Sequence, residues 1–161
     1  MEGEVIRTSE VVALLIDGNN IGKSINKIYG DNAMPNIDVL VPKILAGRSL
    51  KRGALIYLRE GLAISSKFAE RLKTKFFGKV EPCHKSADIP LTIHAVKLSD
   101  KVDTIVIFSG DSDYLPLVLY LKSTGVRVEV VAMQHSASKI LLEAADGHYF
   151  LTKEDVFVFQ N

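Results

Sequence analysis

Short apolar runs rich in branched residues alternate with amphipathic stretches along almost the whole chain. That alternation constrains the fold more than any other feature. The runs are VVALLID (11–17), ALIYL (54–58), DTIVIFS (103–109) and VRVEVVAM (126–133). Each is short, and each reads as a buried strand. Between them lie segments with helical spacing. NNIGKSINKIY (19–29) places Ile21, Ile25 and Ile28 on one stripe. Residues 37–46 predict a helix capped by Asn36, with Pro42 an awkward interior residue. SSKFAERLKTKFF (65–77) lines Phe68, Leu72 and Phe76 along one side as core, with Lys67, Arg71, Lys73 and Lys75 mostly elsewhere.

Further on, ADIPLTIHAVKLS (87–99) predicts a helix with Asp88 as N-cap and Pro90 in the first turn, where its missing N–H does no harm. DYLPLVLYLKSTG (113–125) predicts a helix ending at Gly125, and SASKILLEAAD (136–146) another. KVEPCH (79–84) reads as a weak strand limited by Pro82, and a short strand is expected near Tyr149–Leu151. The segment VFVF (156–159) reads as a strand or an arm.

Strands alternating with helices imply a mainly parallel, doubly wound sheet in a three-layer α/β/α sandwich. The 161 residues, 47% of them hydrophobic, suit one domain with a real core. Its expected extent is residues 11–152, with an N-terminal extension (1–10) and a C-terminal tail (153–161). In such sheets ligands bind beyond the carboxyl ends of the strands, where strand order reverses. Asp17 ends the first strand and Asp111 follows strand 103–109. These strands are neighbours in the usual doubly wound order, so the two carboxylates are expected to meet. Asp88 opens the helix leading into strand 103–109, at the same end of the sheet.

Carboxylates a few ångströms apart repel unless one is protonated or a cation joins them. Hard oxygen ligands suit Mg²⁺ or Mn²⁺, which can orient a phosphodiester and activate water. Asp113 and Asn20 are further candidates to bind such an ion or its waters. The competing explanation is helix capping, for which Asp and Asn are favoured. Capping suffices for Asp17, Asp88 or Asp113 taken singly; four acids at one sheet end favour a site. DGNNIG does not match G-x-G-x-x-G, no ribose-binding acid follows the second strand (Glu60 comes nearest), and there is no Walker lysine motif. Ser24 and Ser109 lack a triad, and the pair Cys83–His84 is too little for zinc.

The net charge of +1 hides an asymmetry. Residues 1–42 hold three basic against six acidic side chains, residues 43–85 eleven against three, and residues 86–161 six against ten. The basic middle third reads equally as a surface for polyanions and as a solvated face. Apolar runs reach only about six residues, far short of the ~20 that span a bilayer, and MEGEVIRTSE is a poor signal peptide. With Cys83 the sole cysteine, a cytoplasmic protein without membrane association is expected.

LLIDGNNI, KSADIPLTIHAV and IFSGDSDYLPLV, in this order and spacing, resemble the NYN domain family, whose members have a PIN-like nuclease fold. The resemblance covers about residues 11 to 150. It implies a metal-dependent ribonuclease-like site with Asp17, Asp88 and Asp111 as acidic catalytic ligands of Mg²⁺ or Mn²⁺. Asn20, Lys85, Ser109 and Asp113 match accompanying polar positions, with Asp113 a further metal ligand and the others near substrate. The chain departs from the pattern at His94, where many relatives carry aspartate. On a regular helix Asp88 and His94 are about 240° apart and share no face.

The expected function is therefore a metal-dependent ribonuclease, an endonuclease acting on RNA, with single-stranded substrate implied by the fold. Lys85 is expected on a phosphate, and Tyr29, Tyr57 and Tyr114 are candidates for stacking on bases. Two alternatives stand beside it: a non-catalytic RNA-binding or regulatory module with an altered site, or a hydrolase of small phosphate esters. The apolar VFVF tail makes a homodimer plausible.

Overall fold

A computed structural model describes residues 10–59 and 66–159. Residues 1–9, Glu60 and the expected helix start at Ser65 lie outside the described residues. Six strands form one wholly parallel sheet: β1 (Val11–Asp17), β3 (Ser49–Arg59), β4 (Lys79–Cys83), β5 (Thr104–Phe108), β6 (Arg127–Ala132) and β7 (Gly147–Phe150). Their order is β4-β3-β1-β5-β6-β7. β1 therefore lies between β3 and β5, and the order reverses between β1 and β5. This is the doubly wound arrangement that the alternating pattern predicts.

Helices α1 (Gly18–Tyr29), α2 (Ile37–Leu45) and α3 (Ser66–Phe76) cover one face of the sheet. Their inward residues, among them Ile21, Ile25, Leu40, Val41, Phe68 and Leu72, pack on Leu14, Ile16, Val106 and Phe108. Helices α4 (Asp88–Leu98), α5 (Leu115–Ser123) and α6 (Lys139–Ala144) cover the other face, with Leu91, Ala95, Val118, Leu121 and Leu141 against Ala13, Leu15, Ile105 and Ile107. Alternate residues of β1 and β5 serve opposite cores, and for that reason these runs are continuously apolar.

The differences from the expected elements have local causes. β3 begins at Ser49 and so is longer than ALIYL; its pairing with β1 slips between Val12 and Leu14. The helix expected from residue 113 is divided into a 3₁₀ turn (Ser112–Tyr114) and α5, because Asp111 caps the turn first. α6 is shorter than expected and starts at Ser138, whose hydroxyl accepts from Leu141 N. Ile28 leaves the buried stripe and is half-exposed in the last turn of α1. The VFVF segment is a strand: β8 (Val156–Val158) pairs antiparallel with β2 (Ala33–Pro35), an element too short to show a period in the sequence. Among the described residues no helix is long and apolar enough to cross a membrane.

Candidate active site

The chain leaves β1 into α1 on one face and approaches α5 from β5 on the other, opening a crevice at the carboxyl ends of these strands. Asp17 is the last residue of β1 and only 3% exposed. Its Oδ1 accepts from Asn20 N at 3.0 Å, which caps α1, and its Oδ2 accepts from the Tyr114 hydroxyl at 2.8 Å. Glycine follows Asp17 of necessity, since a Cβ at Gly18 would come within 2.8 Å of Tyr57 O.

Two adjacent asparagines then bind the two halves of the sheet to this turn. Asn19 Oδ1 accepts from Arg59 N at 2.9 Å at the end of β3, while its Nδ2 approaches Cys83 Sγ at 3.8 Å at the end of β4. Asn20 Oδ1 accepts from Gly110 N at 3.2 Å beyond β5.

On the β5 side, Ser109 Oγ accepts from Asp111 N at 3.1 Å, and Asp111 Oδ1 accepts from Asp113 N at 2.9 Å. These bonds set the turn that delivers Tyr114 to Asp17. Gly110 passes against the β6–α6 loop so closely that a Cβ would stand 2.9 Å from Ala137 Cα.

Asp88 is not the N-cap of α4. Ala87, already helical at φ −75° and ψ −14°, holds that position, and Ser86 Oγ accepts from Asp88 N at 3.1 Å. The serine does the local work, so the Asp88 carboxylate is not used in capping. One oxygen each of Asp88, Asp111 and Asp113 lie within 4.8 Å of one another. Asp17 sits beside them, close enough that the charges of Asp88 and Asp111 act on it. Among the described residues no lysine or arginine pairs with any of these four acids.

The electrostatics follow from that crowding. Burial, foremost, and then the neighbouring Asp88 and Asp111 push Asp17 above the usual carboxylate range, against the Asn20 amide and Tyr114 hydroxyl, which favour its charge. Tyr114 is held far above the ordinary phenol value by burial and by the Asp17 charge, so it remains a donor. A donor set made only of carboxylate oxygens a few ångströms apart, without a protein cation, fits a hard divalent ion such as Mg²⁺ or Mn²⁺. The capping and site readings of these acids are thus not exclusive. Caps orient Asp17 and Asp111; Asp111 joins Asp88 and Asp113 in one group, and Asp17 lies buried beside it.

The remaining expected residues fall in several places. Lys85 is exposed in the loop between β4 and α4. Ser109 is fully buried, and its Oγ accepts from Asp111 N in the loop that carries Asp111. Asn20 uses its carbonyl on Gly110. Tyr57 and Tyr114, offered for stacking on bases, are 0% and 1% exposed and are excluded from that role. His94 turns its Nδ1 to the Tyr57 hydroxyl and is not in the acidic group. The sequence reading missed Asn19, Ser86 and the Tyr114–Asp17 bond. Asn19 adjoins a motif residue, and Tyr114 lies within SGDSDY; neither carries a period or charge pattern that assigns its partner.

The model of the NYN domain matches residues 11–152. No curated protein matches the chain. Among solved structures, a protein of unknown function from Vibrio parahaemolyticus RIMD 2210633 superposes with a TM-score of 0.77 at 18% identity, over 94% of this chain and 100% of that one. At that identity the likeness shows the shared fold.

Proposed function

The chain belongs to the NYN domain family, a PIN-like nuclease family, and from that premise we propose that it is a metal-dependent endoribonuclease acting on single-stranded RNA. The carrying observation is the trio Asp88, Asp111 and Asp113, with Asp17 beside it and, among the described residues, no lysine or arginine paired with any of them. Asp17, Asp88, Asp111 and Asp113 would hold one or two ions of Mg²⁺ or Mn²⁺. When bound, such an ion supplies the positive charge that binds the phosphodiester, activates a water for attack on phosphorus and stabilises the departing 3′-oxygen.

The chain's own residues do the positioning. Asn20 N and Tyr114 fix both oxygens of Asp17. The Asp113 amide fixes one oxygen of Asp111, and an oxygen of Asp111 lies within 4.8 Å of those of Asp88 and Asp113. Asp88, released from capping by Ser86, completes the group. Lys85, exposed three residues before Asp88, would meet a phosphate. We take residues 11–152 as the nuclease domain, the cytoplasm as its location, and β8, with Phe157 and Val158 half-exposed, as the surface for a homodimer.

Labelled RNA tests the reading. Wild-type protein with Mn²⁺ is expected to cut it; EDTA is expected to stop cleavage and Asp111→Asn to slow it on the order of 10²-fold. Cleavage by Asp111→Asn at the wild-type rate would overturn the assignment. RNA retained but uncut identifies a binding module, and turnover of a small phosphate ester with RNA intact identifies the other hydrolase.

A further inference from the structure

We infer that the RNA strand crosses the rim of the β1–β3–β4 half of the sheet, with Arg59 and Lys85 holding its phosphates; this rests on the ribonuclease reading above. The two halves of the crevice differ in charge. The loops beyond β5 and β6, SGDSDY (109–114) and MQHSAS (133–138), contain no lysine or arginine and carry Asp111 and Asp113. A polyanion approaching from that side meets uncompensated carboxylates. On the other side, Arg59 ends β3 and Lys85 follows β4 by two residues; both are exposed.

Most of the other cations in the basic middle third are already used. Lys43 pairs with Asp155, Arg48 with Glu129 and Glu10, Arg71 and Lys75 with Asp38, and Lys79 with Glu81. Asp155, Glu129, Glu10 and Asp38 come from outside the block and offset about half of its excess of eight charges. Arg59 and Lys85 have no ion pair among the described residues. The strand ends that lead to them are tied to the acidic turn. Asn19, two residues after Asp17, accepts from Arg59 N and reaches Cys83 Sγ, so one side chain ties both strand ends to the acidic turn. The strand that places a phosphate over Asp88 and Asp111 gains attraction only by continuing over β3 and β4.

The test is binding of a fluorescent single-stranded oligoribonucleotide by anisotropy, in EDTA, across a series of salt concentrations. Arg59→Ala/Lys85→Ala is expected to weaken binding about tenfold and to lower the slope of log K against log salt by about 1.4, two phosphates at ~0.7 each. Lys97→Ala/Lys101→Ala removes the same charge at the opposite end of the sheet and is expected to change affinity less than twofold. Arg59→Lys/Lys85→Arg keeps the charge and is expected to keep the slope, which separates an electrostatic loss from misfolding. Equal weakening by both alanine pairs, an unchanged slope in the first pair, or no RNA binding by wild type would overturn the path. The chemistry is judged separately. If Asp111→Asn still cleaves while Arg59→Ala/Lys85→Ala loses binding, the strand path stands and the active-site assignment falls.

Discussion

Two aspartates are almost completely buried in this protein, and they face opposite circumstances. Asp155, 0% exposed, accepts from Lys43 Nζ at 2.6 Å, Tyr149 OH at 2.6 Å, Thr152 N at 2.8 Å and Thr152 Oγ1 at 3.1 Å. Burial alone would raise its pKa; the lysine and the hydrogen bonds outweigh burial and hold it below the usual carboxylate range. Asp17, 3% exposed, also has both oxygens hydrogen-bonded, but its charged neighbours are Asp88 and Asp111, and its pKa is raised. One carboxylate is neutralised within the fold and pins the C-terminal turn beside α2. The other belongs to a group of like charges that the fold concentrates without neutralising. Like charges held together without a counter-charge cost stability, so the second arrangement opposes folding where the first supports it.

The contrast can be broken at either end. Asp155→Ala strands the Tyr149 hydroxyl and the Thr152 amide, and it is expected to cost about 3 kcal/mol in urea unfolding, discounted for the partial exposure of Lys43. Asp111→Asn is expected to lose on the order of 10²-fold in RNA cleavage, about 2.7 kcal/mol of barrier. In the absence of metal it should melt no lower than wild type, because it relieves repulsion. A melting temperature depressed as far as that of Asp155→Ala would erase the distinction between the two acids.

Mn²⁺ at about a hundred times its dissociation constant is expected to stabilise wild type by about 2.7 kcal/mol, a rise on the order of 5–10 °C in a chain of this size. That rise should vanish in Asp111→Asn and persist in Asp155→Asn. Tyr114→Phe removes the donor to Asp17 Oδ2 and is expected to cost about 1.5 kcal/mol, read by chemical unfolding.

The smallest effect is on pH dependence. Asp155, with its folded pKa lowered, contributes stability that is fully present above the unfolded carboxylate value near ~3.9 and fades as pH falls through the folded value. Asp17 has the opposite sign, since its raised folded pKa means that taking up a proton favours the folded state. Urea midpoints from pH 5 to pH 2 should therefore fall less steeply in Asp155→Asn than in Asp17→Asn.

Much of this architecture is readable in one dimension. The runs 11–17 and 103–109 are continuously apolar because residues on both faces of each strand are buried, and the site acids occur where those runs stop. Ser86 and Asp88 are not distinguished by the sequence, because two polar residues beside a helix start compete for one capping role and only backbone angles decide between them. β2 and β8 leave still less trace in the sequence. They are three residues each, and their pairing joins positions more than a hundred residues apart. The basic middle third misleads for a related reason. Composition counts charges, whereas the partners that consume them, such as Glu129 for Arg48 and Asp155 for Lys43, lie far along the chain.

The sequence by itself determined the parallel sheet, the strand ends and the acids that stand at them, because local periodicity and residue type are properties of neighbouring positions. Only the tertiary structure decided that Asp88, Asp111 and Asp113 share one space, that Tyr114 faces Asp17 rather than a base, and which cations remain unpaired. Those outcomes depend on distances between segments separated by tens of residues, and such distances are set when the sheet assembles.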